Sequence, residues 1–389
     1  MSSIAELCQN AREVIGGCIG VKGVWASDSE GRYAHMCRTR DLGLGIADAI
    51  LGDPVLARRY EGVVRRHVCE IARAQDSVTG RIPMLIPDAL EDVIAAKRKA
   101  GDASFLMRRY EEEKPKHPGD PAYGIHFLTP VTTDSEIMFL LAAKPFEKEL
   151  REPIRLALEY VSARLSPTGL HLGADYRDIR TKEGHPTDET PPYPYLDDKP
   201  VLSMQCMLYR VYELYGRYEE AEKLKRRIND IYWNPADLCY WDYPSVPPQK
   251  YFDVLGNALA VYCEVADEER AAGVINMAMR EALASRFLIH TRDALIPPMN
   301  DDANEEAILT FDRAEIYPWV NGMMILAMVK AKAVLQARVL FKKWWFGMPA
   351  VAGFYEWYDV SKGQGHGGRN QGLTAALFLM AAEALNCAH

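Results

Sequence analysis

Apolar residues recur at helical spacing along most of the chain. Ile4, Leu7, Cys8, Ala11, Val14, Ile15 and Cys18 fall on one face of a helix over 3–18. A short strand or turn between Val24 and Tyr33 leads to Arg38-Thr-Arg-Asp41, which opens a second helix to about Ile50. Gly52-Asp53-Pro54 then stops that helix and starts a third over 54–74. Further helices are predicted over 134–143, 148–165, 199–215, 217–231, 256–264, 267–284, 313–341 (as two) and 371–387. Strand-like runs are few and short, as at Leu170-His-Leu172 and Cys239–Tyr243.

The helices come in successive pairs, with aromatic and acidic residues concentrated in the loops between pairs. Two architectures suit that pattern, an α-solenoid or a closed toroid of six helical hairpins. A solenoid would repeat with a period of roughly 33–47 residues, and the chain shows no such self-similarity. Its connecting segments are also long and chemically varied, which favours the closed form. The expectation is an all-α (α/α)6 barrel occupying 1–389 as one domain, since no shift in composition marks a boundary. The stretch 76–133 interrupts the pattern with Arg81-Ile-Pro-Met-Leu-Ile-Pro87, a charged helix around 88–113 and the proline-rich Lys114–Pro121. An excursion of this length in a compact domain is usually functional, and here it is expected to cover a pocket.

Charge and cysteine usage narrow the partners. Lys plus Arg number 46 and Asp plus Glu 54, for a net charge of −8. An acidic chain without a basic block offers no footprint for nucleic acid or an anionic membrane. The polar start, Met-Ser-Ser-Ile-Ala-Glu-Leu, is unlike a secretory signal, and no apolar run approaches a membrane span. Cysteines 8, 18, 37, 69, 206, 239, 263 and 387 form no Cys-x-x-Cys pair. They are expected to be reduced thiols of a cytoplasmic protein, with no metal site.

Two stretches carry the chemistry. Gly169-Leu-His-Leu-Gly-Ala-Asp-Tyr-Arg-Asp-Ile-Arg180 holds Asp175 and Asp178 around Tyr176 and Arg177, ahead of the helix beginning near Lys199. Gly353-Phe-Tyr-Glu-Trp-Tyr-Asp359 sets Glu356 among aromatic rings, ahead of a glycine-rich loop and Asn370-Gln371. Carboxylates among aromatics suit sugar chemistry, in which one acid protonates a glycosidic oxygen and one base activates water. An extended segment would not place Asp175 and Asp178 on one face, so either could point into a pocket while the other pairs with Arg177 or Arg180. Taken singly, each carboxylate also fits a solvated loop. Glycines 363, 365, 367 and 368 lack the Gly-Lys-Ser/Thr ending of a phosphate loop. His35, His126, His171 and His366 fall in loops near these motifs, where an ordinary loop histidine is the simplest account.

Together these segments resemble the six-hairpin glycosidases, in particular the alkaline/neutral invertases and the amylo-α-1,6-glucosidase part of glycogen-debranching enzymes. Asp178-Ile-Arg180 stands where that clan has its general acid, and Pro200-Val-Leu-Ser-Met-Gln205 where a following helix begins. Arg40-Asp41 is similar to the element that grips the non-reducing sugar, and Thr133-Asp134-Ser135 to a second helix start. Asp253-Val-Leu-Gly-Asn257 resembles a recurrent helix N-terminus, and Ile316-Tyr-Pro-Trp319 a pocket-lining turn. Glu356-Trp357-Tyr-Asp359 followed by Asn370-Gln371 resembles the general-base segment.

The resemblance implies an inverting glycoside hydrolase with Asp178 as general acid and Glu356 as general base, their carboxyls roughly 6.5–9.5 Å apart. It further implies that Arg40, Asp41, Asp134, Tyr176, Gln205, Trp319, Trp357 and Gln371 bind the substrate, a small α-glucoside or sucrose-like disaccharide. No cofactor is called for, and a homo-oligomer is allowed but not required. Rivals on the same fold are a sugar 2-epimerase, which would use paired histidines, and a disaccharide phosphorylase, which would replace the base by a phosphate site. A non-catalytic helical scaffold is the rival outside enzymology.

Overall fold

Helices with one apolar stripe alternate along the chain with helices that are apolar all round. The computed structural model describes residues 3–28, 35–87, 134–172, 200–244, 252–285, 287–290, 315–351, 353–359 and 364–387. Among them the striped helices are α1 (Ile4–Gly17), α3 (Pro54–Arg73), α5 (Arg151–Ala163), α7 (Tyr218–Tyr232), α9 (Glu268–Ala284) and α11 (Val334–Val351). In α3 only Leu56, Val64, His67, Val68 and Ile71 are buried, the single inward face of an outer helix. The others are α4 (Ser135–Ala143), α6 (Leu202–Leu214), α8 (Val254–Tyr262), α10 (Pro318–Lys330) and α12 (Gly372–Ala384). Every residue of α10 from Pro318 to Met328 is buried, which places that helix inside the molecule. The sixth inner helix, α2, is interrupted, with Thr39–Asp41 and Ala47–Gly52 joined by a π turn at Leu42–Ile46.

The inner helices touch in sequence, α2 on α4, α4 on α6, α6 on α8, α8 on α10 and α10 on α12, and α12 returns to α2. That return closes a ring, which a solenoid would not do. Each outer helix from α3 onward packs on the inner helix before it, and α1 packs on α12. Close approach in the ring uses Gly43, where a Cβ would run into the main-chain carbonyl of Met138. Caps mark the helix starts as the sequence indicates. Ser3 and Glu6 form a capping box on α1, Asp53 accepts from the main-chain N–H groups of Val55 and Leu56 ahead of Pro54, and Asp253 accepts from Gly256 N–H.

Predicted and observed helices agree to within a few residues, with one larger difference. The second helix of 313–341 runs on to Val351, because Phe341, Trp344 and Met348 continue its buried stripe. The charged helix at 88–113 lies outside the described residues. Of the 76–133 excursion, β2 (Leu85–Pro87) pairs antiparallel with β1 (Met36–Arg38), just before α2. Further short strands are β3 (Trp233–Asn234), β4 (Cys239–Tyr240), β5 (Glu315–Ile316), β6 (Trp357–Asp359) and β7 (Gln364–His366). β5, β6 and β7 form one antiparallel sheet, so Glu356 leads into a hairpin rather than into the glycine-rich loop expected there. All eight cysteines are free thiols.

A carboxamide clamp recurs at the fourth residue of three inner helices. Gln205 Oε1 accepts from His171 N–H at 2.8 Å while its Nε2 donates to His171 C=O at 2.8 Å. Asn257 does the same to Tyr240 (2.8 and 2.9 Å), and Asn321 to Ile289 (2.9 and 3.0 Å). Each side chain thus completes both main-chain groups of a buried residue in the segment that precedes its helix. Asn257→Leu should leave both Tyr240 groups bare and lower the unfolding free energy by about 1–3 kcal/mol for each of them. Urea unfolding checks this, and an unchanged midpoint and slope would contradict it.

Candidate active site

The N-termini of the inner helices and the short strands ahead of them carry the charged residues. β1 delivers Arg38, and the first turn of α2 delivers Arg40 and Asp41, both almost fully buried. Arg40 Nε donates to Asp134 Oδ2 at the start of α4, and Asp134 is fully buried. The pair satisfies one oxygen of Asp134, while Asp134 Oδ1 and Asp41 Oδ2 are buried with no hydrogen-bond partner among the described residues. Burial raises the Asp41 pKa. Arg38 and Arg40 oppose that rise, and the nearby charges of Glu356 and Asp134 add to it. Glu356, from the last hairpin, therefore lies within electrostatic reach of the first.

Glu356 sits half-buried on a glycine corner. Its main-chain N–H donates to Gly368 C=O at 3.0 Å, and its Oε2 accepts from Gly368 N–H at 3.1 Å. Gly367 has φ 72°, in the left-handed region, and a Cβ there would overlap Glu356 Oε2. Trp357 stacks flat on His366 across the β6–β7 hairpin, with ring centroids 4.3 Å apart and planes 15° apart. β5 runs beside β6, with Ile316 opposite Tyr358, and so brings Tyr317 and Trp319 next to this hairpin. Those two rings meet edge to face at 6.2 Å.

Arg40, Asp41 and Asp134 thus form one buried cluster at the first hairpin, while Trp357 lies on β6 and Trp319 in the first turn of α10, just after the neighbouring β5. Gln371 caps α12, its Oε1 accepting from Thr374 N–H (2.7 Å) and Thr374 Oγ1 (2.8 Å). Gln205 is fully buried, and its carboxamide is engaged with the main chain of His171 and Val201, a holding rather than a ligand-facing geometry. Asp175, Tyr176 and Asp178 lie outside the described residues. Among the described residues no group of three His, Cys, Asp or Glu side chains is placed to hold a metal. No helix among them is long and apolar enough to cross a membrane.

Two buried groups in this region differ from the sequence expectation: Glu136 is no candidate there, and His171, expected as an ordinary loop histidine, is buried. Glu136, two residues past Asp134, is 1 % exposed. Its Oε1 accepts from Ile82 N–H at 2.8 Å, and its Oε2 has no hydrogen-bond partner among the described residues. Burial pushes its pKa up to about 7, opposed mainly by the Ile82 N–H. His171 is fully buried, with no hydrogen-bond partner for either ring nitrogen among the described residues, and burial aided by Arg164 lowers its pKa to about 3, so the imidazole is neutral. The apolar neighbours of Glu136 in sequence hint at its burial. His171, flanked by Leu170 and Leu172, carries the same hint.

The chain matches no protein-family profile, and no curated protein matches it in sequence. Solved structures do match. The GH63 mannosylglycerate hydrolase from Thermus thermophilus superposes with a TM-score of 0.56 at 15 % identity, over 96 % of this chain and 99 % of that one. A structure described as a wild-type glycosidase gives 0.58 at 12 % identity, over 99 % and 97 %. Neutral trehalase from Saccharomyces cerevisiae gives 0.52 at 13 % identity, over 88 % and 70 %. The fold is the (α/α)6 barrel, shared with these structures. In that barrel the clustered helix N-termini described above form one end of the ring.

The buried acid of this barrel carries a pH signature. Because the folded-state pKa of Glu136 is raised from 4.5 to about 7, its stabilising contribution is complete below about pH 4.5 and is lost as pH rises through 7. Glu136→Gln keeps an acceptor for Ile82 N–H and removes the titration. The variant should gain stability relative to wild type between these pH values, by on the order of 3 kcal/mol at pH 7 and above. Denaturant unfolding across pH 4–8 reads the difference, and parallel profiles would contradict it.

Proposed function

We propose that the protein is an inverting glycoside hydrolase acting on a small α-glycoside, with Asp178 as general acid and Glu356 as general base. The observation that carries this reading is the closure of α12 on α2, which sets the segment of Glu356 beside the hairpin that holds the buried Arg40–Asp41–Asp134 cluster. Asp41 Oδ2 and Asp134 Oδ1, buried and without a hydrogen-bond partner among the described residues, are acceptors suited to sugar hydroxyl donors. Arg40, oriented by Asp134, adds fixed N–H donors, and the faces of Trp319 and Trp357 suit the apolar side of a sugar ring. In such a site one carboxylic acid protonates the departing oxygen, while the other carboxylate takes a proton from water attacking the opposite face of the ring. The net reaction consumes one water and calls for no cofactor; the turnover leaves the acid ionised and the base protonated, and proton exchange with solvent resets the pair before the next one.

Similarity in fold to a mannosylglycerate hydrolase and a trehalase, both named for small glycosides, supports a substrate of that size. Free cysteines throughout suit a reducing, cytoplasmic setting. Of the remaining site residues, Tyr176 and Gln371 are proposed to contact the sugar, whereas Gln205 shapes the site through His171. The 76–133 excursion is proposed to wall the pocket, since its described strand pairs with β1, which leads directly into Arg40 and Asp41.

Purified protein should hydrolyse at least one of sucrose, trehalose, mannosylglycerate and glucosylglycerate without added phosphate. Asp178→Asn and Glu356→Gln should each cut turnover by about 10²–10⁴-fold while leaving the unfolding midpoint in place. A glycosyl fluoride, which needs little protonation to depart, should recover much of the Asp178→Asn loss and little of the Glu356→Gln loss. Rescue by fluoride in Asp175→Asn instead would move the acid to Asp175. Normal turnover in all three variants would refute the carboxylate pair.

A further inference from the structure

Glu356 depends on Gly368, and Gly368 is separated from the cap of α12 by Arg369 and Asn370 alone. Asn370 sits in the left-handed region at φ 49°, a conformation that asparagine tolerates better than most residues. Its Nδ2 donates to Asp28 Oδ2 at 2.6 Å, a contact spanning 342 residues of sequence. Its carbonyl accepts from Cys18 Sγ at 3.8 Å. Around it the main chain is tied to the same early segment and to the base strand. Gly372 N–H donates to Ala26 C=O at 2.9 Å, Gln371 N–H donates to Phe354 C=O at 2.7 Å, and Ser27 bridges Gln371. Both side chains of the contact line a cavity of about 500 Å³ together with Gly353 and Phe354, so they are not wedged under bulky groups.

We infer that Asp28 and Asn370 form a positioning pair for Glu356, through which the first hairpin's loop fixes the glycine corner that orients the base carboxylate. This rests on Glu356 being the base. Without the tie, the corner at Gly367–Gly368 is free to relax between its glycines, and the carboxylate loses its aim rather than its chemistry. A misplacement on the order of 1 Å at a reacting group costs about 10²-fold.

The test uses hydrolysis of α-D-glucosyl and α-D-mannosyl fluoride, because departure of fluoride needs little acid and the rate reports the water side of the site. Asn370→Gly retains the backbone conformation and removes the amide. It should lower kcat about 10–100-fold with KM within about twofold. Asn370→Asp sets two carboxylates face to face and should be worse. The exchanged double variant, Asp28→Asn with Asn370→Asp, restores a hydrogen bond of reversed polarity and should recover to within about threefold of wild type. In a Glu356→Ala background supplied with azide, where no base is needed, Asn370→Gly should have no further effect.

An exchanged variant no better than Asn370→Asp, or a loss confined to KM or to the melting temperature, would overturn the pair while leaving the base. So would an Asn370→Gly penalty that persists in the azide reaction. Should Asn370→Gly not fold, Asp28→Ala and the exchange decide the question. Fluoride hydrolysis indifferent to Glu356→Gln, or no hydrolysis of either fluoride or any of the four glycosides by wild type, would sink both the base and the pair.

Discussion

Six helices without a polar face can be stable in water only by enclosing one another, and closure of the ring is the constraint on which the rest depends. α10 and α12 are buried along nearly their whole length, so neither could stand at the open end of an array. Contact of α12 with α2 and α1 removes that open end. The enclosing helices then need only one apolar stripe each, and polar side chains are driven outward or to the helix ends. The main-chain groups of the entering segments still need partners, which Gln205, Asn257 and Asn321 supply. Closure also sets the first and last hairpins side by side, and so joins Asp41 to Glu356 although they are far apart in sequence.

Charge concentrated at the closing end of the ring is costly unless it is paired or given a ligand. Arg40 and Asp134 pair, yet among the described residues Asp41, Asp134 and Glu136 each keep a buried oxygen without a hydrogen-bond partner. A buried oxygen costs free energy unless a further donor reaches it. Burial favours the neutral form of Asp41 and Glu136, and at Asp41 the guanidinium groups of Arg38 and Arg40 oppose that preference.

Helices were legible in the sequence because periodicity is a local property. Six pairs, their order and most of their boundaries follow from apolar spacing and from stops such as Gly52-Asp53-Pro54. Arg40, Asp41, Asp134 and Glu356 were legible as candidates from their company, through resemblance to a glycosidase clan. What was not legible depends on contacts across the ring. Nothing near Gln205 in sequence shows that its amide completes His171, and nothing near Asn370 points to Asp28. The β5–β6–β7 sheet was hidden because its strands are two or three residues long, too short for any alternation to register, and one lies within a glycine-rich stretch that reads as loop. Glu136 was missed and His171 was taken for an ordinary loop histidine for another reason: burial of this kind is invisible until the neighbours are in place.

The central claim is that ring closure assembles a base carboxylate and a sugar-gripping cluster into a single-displacement hydrolase. Proton NMR of the first product formed tests it most directly, recorded before the released sugar mutarotates. Attack by water on the face opposite the leaving group predicts that an α-glycoside yields the β-anomer first. Initial release of the α-anomer would show a double displacement through a carboxylate nucleophile, and would contradict the role assigned to Glu356.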